Sequence, residues 1–142
     1  MKMKSLLLAT IAVGLISSAF AQGQESGLYP REEKEMFAPS GKARRAYSLH
    51  GALANCTPWN LKDIDVRTVK EPNNGKLEIT QGEILAGFRK DGPAANCSGK
   101  KVRAILIEYK SADKFVGQDE FELFVMWPNG RASEFHTTVN VR

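Results

Sequence analysis

The sequence has few of the residues that enzymes and metalloproteins place at their reactive centres. It contains two histidines and two cysteines among 142 residues. It has no nucleophile elbow, zinc-protease motif or phosphate loop, and no pair of carboxylates in a recognisable catalytic frame. We therefore predict no catalytic residues, no cofactor and a non-enzymatic function.

The same scarcity limits the metal and redox sites that the chain could build. A redox dithiol usually has its cysteines two residues apart, whereas Cys56 and Cys97 are far apart in the sequence. A structural zinc site needs about four ligands, and His50 and His136 are the only histidines available beside the cysteines. A blue-copper site would need a free thiolate, which a disulfide removes.

Excess charge and long apolar runs are also lacking beyond the N-terminal segment. The formal net charge is +4, and two of the lysines lie within residues 1–21 with no acidic residue beside them. The remaining excess is small, so the composition gives no electrostatic case for a nucleic-acid partner. No later apolar run is long enough to cross a bilayer, so we predict no transmembrane anchor.

Residues 1–21 have the three parts of a secretory signal peptide. A basic start, Met1–Lys4, precedes an apolar stretch from Ser5 to Ser18, and Ala19–Ala21 fits the small-x-small cleavage rule. The apolar stretch is short for a membrane-spanning helix, which needs about 20 residues. No cysteine follows the cleavage site, so lipid anchoring is not indicated. We predict export to the bacterial periplasm or the extracellular medium.

The segment 22–46 is polar and contains several glycines and prolines. An acidic cluster at residues 32–35 precedes a basic cluster at residues 42–45. Too few apolar residues recur there to build a core, so we predict a flexible arm followed by one domain over residues 47–142. As an alternative, the charged clusters could bind a partner or an anionic surface.

Between Tyr47 and Arg142 the chain alternates apolar and polar residues in six or seven short segments separated by turn signals. No convincing amphipathic helix occurs among them. This pattern predicts an all-β fold, an antiparallel β-sandwich. The runs Val102–Tyr109, Phe121–Trp127 and Ser133–Val141 predict a meander of three consecutive strands.

The loop between the first two of these runs has a pattern of its own. Phe115 is apolar in a polar segment, and we expect it to pack back onto the core. Gly117 can adopt a positive φ, and Asp119 can bond backbone amides two residues further on. We predict that Tyr109, Phe115, Gly117, Asp119 and Phe121 form a structural loop.

These five residues, with a glycine-containing turn and the closing strand Val139–Val141, resemble the second half of bacterial immunoglobulin-like or cadherin-like domains. Upstream, Pro72–Ile79 resembles a strand opening in the first half of the same domains, so the resemblance covers residues 60–142. It implies an immunoglobulin-like sandwich of about seven strands and no particular activity. Such domains usually occur in tandem arrays, whereas this chain has one copy with a cysteine pair. It is more similar to small, stand-alone secreted members.

The resemblance also suggests weak calcium candidates, because tandem cadherin-like repeats can bind calcium with acidic residues at domain junctions. Asp113, Asp119 and Glu120 lie in or beside the loop. One domain has no such junction, and Ca²⁺ needs about six or more oxygen ligands. We therefore predict no metal site.

Two further groups of side chains could serve binding. The alternation of the last strand predicts an exposed position for His136, and His50 precedes Gly51 in a turn-like segment. The aromatic residues Trp59, Trp127 and Tyr29 could form a binding surface for glycans, although strand-end aromatics more often pack on the core or its rim.

We therefore expect an exported, non-enzymatic binding or structural module whose partner is an unidentified protein or glycan of the cell envelope. The alternatives are a calcium-dependent adhesion module, an exported protease inhibitor, or a small hydrolase that works through loop residues.

The paired cysteines give the first testable prediction. An even cysteine count in an exported chain indicates a disulfide, and closing this loop would contribute about 4 kcal/mol in the chain-entropy model. The exported protein should therefore weigh one hydrogen less per cysteine than the reduced chain, as measured by intact-mass spectrometry. Two free thiols after native export would contradict the Cys56–Cys97 crosslink.

Overall fold

The computed structural model describes residues 28–142, which form β-strands, loops and two single-turn 3₁₀ helices. The prediction of an all-β fold is confirmed. The predicted signal peptide, residues 1–21, and the first part of the predicted arm, residues 22–27, lie outside the described residues. The strands are β1 (Arg31–Ala38), β2 (Ala43–Leu49), β3 (Asp65–Lys70), β4 (Gly75–Leu85), β5 (Lys101–Ser111), β6 (Gly117–Met126) and β7 (Ala132–Val141), and the 3₁₀ helices are Leu61–Asp63 and Ala95–Cys97.

The strands form two sheets with one apolar core. The four-stranded sheet has the order β1-β7-β6-β3, and the three-stranded sheet has the order β2-β5-β4. β1 runs parallel to β7, and every other pair is antiparallel. Strands of both sheets contribute to a single buried cluster. Its fully buried side chains include Ile107, Tyr109, Phe121, Leu123, Val125 and Val139.

The predicted meander of three consecutive strands is wrong, because its first two strands, β5 and β6, do not pair with each other. β6 and β7 form a hairpin, but β5 pairs with β2 and β4 in the other sheet. Residues 112–116 therefore cross between the sheets. Each of β5 and β6 has one continuous apolar face, and stacking across the core buries both faces. Alternation along a strand is the same whether its neighbour lies beside it or across the core, so the pattern could not distinguish the two.

Residues 31–46 are not the flexible arm that the composition predicted. They contain β1 and the first part of β2, and β1 pairs with β7 along its whole length. In β1 only Met36 and Ala38 are buried and Lys34 is half-buried, while the other five side chains face solvent, because β1 is an edge strand. Charged residues are common on edge strands, where they discourage pairing with other chains. That is why this strand has the composition of a linker.

β4 is a long strand with Gly82 near its middle. Its pairing with β5 nevertheless continues without interruption from Gly75 to Leu85. A Cβ on Gly82 would lie 2.6 Å from Cδ1 of Leu106. The glycine therefore makes room for a neighbouring side chain rather than ending the strand.

Asp119 is the one buried carboxylate of residues 28–142, with 3% of its surface exposed. Its Oδ1 accepts hydrogen bonds from the backbone amides of Asn73 at 2.9 Å and Glu120 at 3.0 Å. Its Oδ2 accepts bonds from the amide of Asn74 at 3.0 Å and the hydroxyl of Tyr109 at 2.9 Å. Burial and the adjacent carboxylate raise the pKa of the Tyr109 phenol far above its ordinary value. One side chain thus joins β5, β6 and the turn between β3 and β4.

Replacing Asp119→Ala should lower the free energy of unfolding by about 3–5 kcal/mol, because three backbone amides and a buried hydroxyl lose their acceptor. Tyr109→Phe removes one donor and should cost about 1–2 kcal/mol. Urea denaturation followed by tryptophan fluorescence measures both losses. As a control, Glu108→Ala removes an exposed partner of Arg45 and should change stability by less than about 1 kcal/mol. A loss for Asp119→Ala no larger than that of the control would contradict this account.

Candidate functional site

A cleft of about 350 Å³ lies where the loop after β2 meets the hairpin loop between β6 and β7. We call it the tryptophan cleft, because both tryptophans of the chain line it. Its other lining residues come from the start of β1, the end of β2 and the start of β7. The complete lining is Pro30, Glu32, His50, Trp59, Trp127, Asn129, Arg131, Ala132 and Ser133.

The two indole rings meet at an angle and present a concave apolar surface. Their ring centroids are 6.1 Å apart, and the ring planes are inclined by 56°. Trp127 is half-buried and packs against the core, in a loop closed by a hydrogen bond from its amide to the carbonyl of Arg131 at 2.8 Å. The sequence pointed to both tryptophans as members of one aromatic binding surface, and the structure brings their rings together. Tyr29, the third aromatic candidate, instead packs edge-on against Phe124.

Trp59 depends on Gly51 for its position. The amide of Trp59 donates a hydrogen bond to the carbonyl of Gly51 at 2.9 Å. A Cβ built on Gly51 would lie 2.2 Å from Cε3 of the indole ring. The ring therefore lies directly against the glycine backbone, and no larger residue fits beneath it.

The loop that carries Trp59 is closed by backbone bonds and by the disulfide. Leu53 bonds both Thr57 and Cys56, and Ala52 forms an isolated bridge with Pro58. The predicted Cys56–Cys97 disulfide is confirmed, with the Cα atoms 5.4 Å apart. It fixes this loop to the 3₁₀ helix Ala95–Cys97, so the crosslink supports one wall of the cleft.

His50 adds a polar group to the cleft wall. Its Nδ1 lies 3.2 Å from the carbonyl oxygen of Ser48. Nε2 is buried and has no hydrogen-bond partner within residues 28–142. The ring also packs edge-on against Phe88. An unpaired buried ring nitrogen is costly, and this one belongs to a residue that lines the cleft.

Polar side chains surround the two indole rings. Glu32, Asn129 and Arg131 are exposed, and Ser133 is half-buried. Within the described part of the chain, neither Glu32 nor Arg131 forms an ion pair. The arrangement combines flat apolar surfaces with hydrogen-bonding groups at the rim, which is the usual composition of a small-molecule site.

The predicted loop residues lie at the other end of β6. Tyr109 and Phe121 stack with ring centroids 6.2 Å apart, and both are buried. Phe115 packs partly buried against the core, and Gly117 has a φ of 142°. The amides that Asp119 binds are mostly those of a distant turn rather than of its own loop. These residues hold the fold and take no part in the tryptophan cleft.

The three calcium candidates have different surroundings in the structure. Asp113 is exposed, while Asp119 is saturated by four donors. Glu120 pairs with Lys70, and this hydrogen bond together with one from His136 lowers the pKa of Glu120. Within residues 28–142, no three or more histidine, cysteine, aspartate or glutamate side chains are grouped to hold a metal ion.

His136 belongs to a charged network on the outer face of the four-stranded sheet. Its Nδ1 lies 2.5 Å from Oε2 of Glu33, and its Nε2 lies 3.4 Å from Oε2 of Glu120. The hydrogen bond to His136 lowers the pKa of Glu33. Only 20% of the His136 side chain is exposed. Side chains on the neighbouring strands therefore cover a position that the alternation of the last strand predicted to be exposed.

No protein-family model matches the chain, and no curated protein matches it. Among solved structures, an endo-fucoidan hydrolase of glycoside hydrolase family 107 is similar to 80% of this chain, with a TM-score of 0.39 and 9% identity. The match covers only 13% of that enzyme's chain. Amebosin, known from a solution structure, is similar to 82% of this chain and is covered completely, with a TM-score of 0.39 and 14% identity. Neither likeness is strong enough to indicate a shared family or activity. Within residues 28–142, no helix is long and apolar enough to span a membrane.

Proposed function

We propose that this chain is an exported, non-enzymatic binding module that holds a glycan in the tryptophan cleft. The observation that carries the proposal is the meeting of both tryptophans, Trp59 and Trp127, in one concave site. Indole faces pack well against the C–H faces of sugar rings, and the surrounding polar groups suit sugar hydroxyls. A volume of about 350 Å³ is at the lower end of the range for small-ligand sites, roughly 300–1,000 Å³.

The composition of the cleft favours binding over glycoside hydrolysis. Most glycosidases need two carboxyl groups that flank the scissile bond. Glu32 is the single carboxylate among the residues that line the tryptophan cleft. The cleft therefore offers a binding surface without the acid and base pair of a hydrolase.

The strand order of the two sheets supports the more specific proposal of an immunoglobulin-like sandwich, and the position of the cleft fits that proposal. In immunoglobulin domains, strands B, E and D lie in one sheet and C, F and G in the other. The orders β2-β5-β4 and β3-β6-β7 follow that arrangement, with β1 added beside β7. Trp59 then lies in the B–C connection and Trp127 in the F–G loop. In antibody variable domains, those loops belong to the antigen-binding end.

The proposed location outside the cytoplasm is supported by two features. The disulfide holds the Trp59 loop, and such crosslinks persist in oxidising compartments. The signal-peptide pattern in residues 1–21 points to the same route. We propose the bacterial periplasm or the extracellular medium, with a cell-envelope glycan as partner.

Trp59→Ala should weaken glycan binding by about 2 kcal/mol, roughly thirty-fold, because truncating an aromatic anchor at the centre of a site has this effect. A panel of soluble oligosaccharides titrated against intrinsic fluorescence measures the affinity, since both tryptophans line the cleft. Phe37→Ala is the matched control, because it removes an exposed aromatic ring from β1 outside the cleft. The proposal fails when no oligosaccharide perturbs the fluorescence, or when Trp59→Ala binds as tightly as the native chain.

Gly51→Ala should reduce affinity about tenfold while keeping both tryptophans, because its Cβ would displace the Trp59 ring. The matched control is Gly87→Ala, whose added Cβ would meet nothing within 4 Å. Calorimetric titration of both variants with the same oligosaccharide compares their affinities. Equal affinity of the two variants for the oligosaccharide would show that the position of the Trp59 ring against Gly51 does not matter for binding.

A further inference from the structure

A second groove lies beside the tryptophan cleft and shares Trp59 with it. Its volume is about 470 Å³, and it runs between the segment 58–62 and the paired strands β4 and β5. We call it the cationic groove. The lining residues that matter here are Trp59, Lys62, Gln81, Glu83, Lys101 and Arg103.

Positive side chains dominate this groove. Lys62, Lys101 and Arg103 are exposed there, and Glu83 is the one carboxylate in the lining. Within residues 28–142, none of the three cations forms an ion pair. The guanidinium of Arg103 donates a hydrogen bond to Oε1 of Gln81 at 2.9 Å, which leaves its other donors available. The groove therefore presents a local excess of positive charge on a chain whose overall charge is modest.

The three cationic residues lie on backbone that hydrogen bonds hold in place. Lys101 and Arg103 continue the inward face of β5 past Ile105, where the sandwich opens. Lys62 lies in a 3₁₀ helix whose N-cap residue, Asn60, accepts a hydrogen bond from the Lys62 amide at 3.1 Å. Strand pairing and capping fix the backbone at the three positions before any ligand binds, which reduces the ordering cost of binding.

We propose that the ligand of this module is an acidic glycan that extends from the tryptophan cleft across Trp59 into the cationic groove. Lys62, Lys101 and Arg103 contact its carboxylate or sulfate groups there. This inference rests on the proposed function and adds the chemical class of the ligand. Trp59 lines both depressions, so a chain ligand that stacks on it reaches the two sites together. Arg131 adds a further cation on the cleft side.

Two matched pairs of polymers test the proposal. Oligogalacturonate is compared with its methyl ester, and dextran sulfate with dextran, so that each pair differs in charge. The acidic member of at least one pair should bind about tenfold more tightly than its neutral partner, and added salt should narrow that ratio by screening the charges. Which pair shows the ratio distinguishes carboxylate from sulfate recognition. Fluorescence titration and calorimetry measure the affinities.

Variants that remove positive charge test whether the cationic groove causes the preference for the acidic polymer. The triple variant Lys62→Gln, Lys101→Gln and Arg103→Gln should abolish most of the preference for the acidic polymer while keeping the affinity for the neutral one. A control triple variant, Lys42→Gln, Arg44→Gln and Lys90→Gln, removes the same formal charge outside both depressions and should keep the preference. Thermal unfolding of both variants checks that the fold is retained.

The outcomes separate this inference from the proposed function. Equal affinity for acidic and neutral polymers, or equal loss in the two triple variants, overturns the inference and leaves the glycan-binding proposal standing. A preference for oligothymidylate over every glycan overturns the inference in favour of single-stranded nucleic acid, which also binds aromatic and cationic grooves. Absence of binding to all these polymers rejects both proposals.

Discussion

The buried carboxylate of Asp119 is the interaction on which the rest of the structure depends. The chain leaves the three-stranded sheet after β5 and enters the four-stranded sheet at β6, so a short crossing must bring the two apolar faces together. Asp119 holds this crossing by bonding Tyr109 at the end of β5 and the turn that precedes β4. Because Tyr109 and the turn lie outside β6, their bonds to Asp119 form only when both sheets are in place, whereas the Glu120 amide is its neighbour in the chain. A buried charge is tolerated there because it is fully hydrogen-bonded.

The sequence predicted where the strands lie better than it predicted which strands pair with each other. Alternation marked β5, β6 and β7 correctly, since burial on one face leaves a period of two in the chain. It missed β1, whose charged residues face solvent along an edge, and it joined β5 to β6 in one sheet. It also singled out Asp119, but as a local turn former rather than a link to Asn73 and Asn74. Which strands pair is decided by contacts distant in sequence, and periodicity carries no record of those contacts.

The candidate site was harder to predict for the same reason. Trp59 and Trp127 were both recognisable as aromatics at loop positions, yet their contact requires the loop after β2 and the loop between β6 and β7 to lie at the same end of the two sheets. Gly51, eight residues before Trp59, allows the close approach of the ring, but only the fold shows that the glycine lies beneath that ring. Lys62, Lys101 and Arg103 gave no signal, since each looks like an ordinary solvated charge until the fold brings them beside Trp59.

The two ends of the sandwich have different physical supports. At the Asp119 end, a saturated polar network and a stacked aromatic pair fix the backbone without a covalent link. At the cleft end, Trp127 packs on the core, but Trp59 lies on a loop held by short backbone bonds, by Gly51 and by Cys56–Cys97. That loop buries little apolar side-chain surface of its own, so a crosslink that restricts its alternative conformations has most effect there. Under the proposed function, the disulfide therefore preorganises the shared wall of the cleft and the groove, in addition to stabilising the domain.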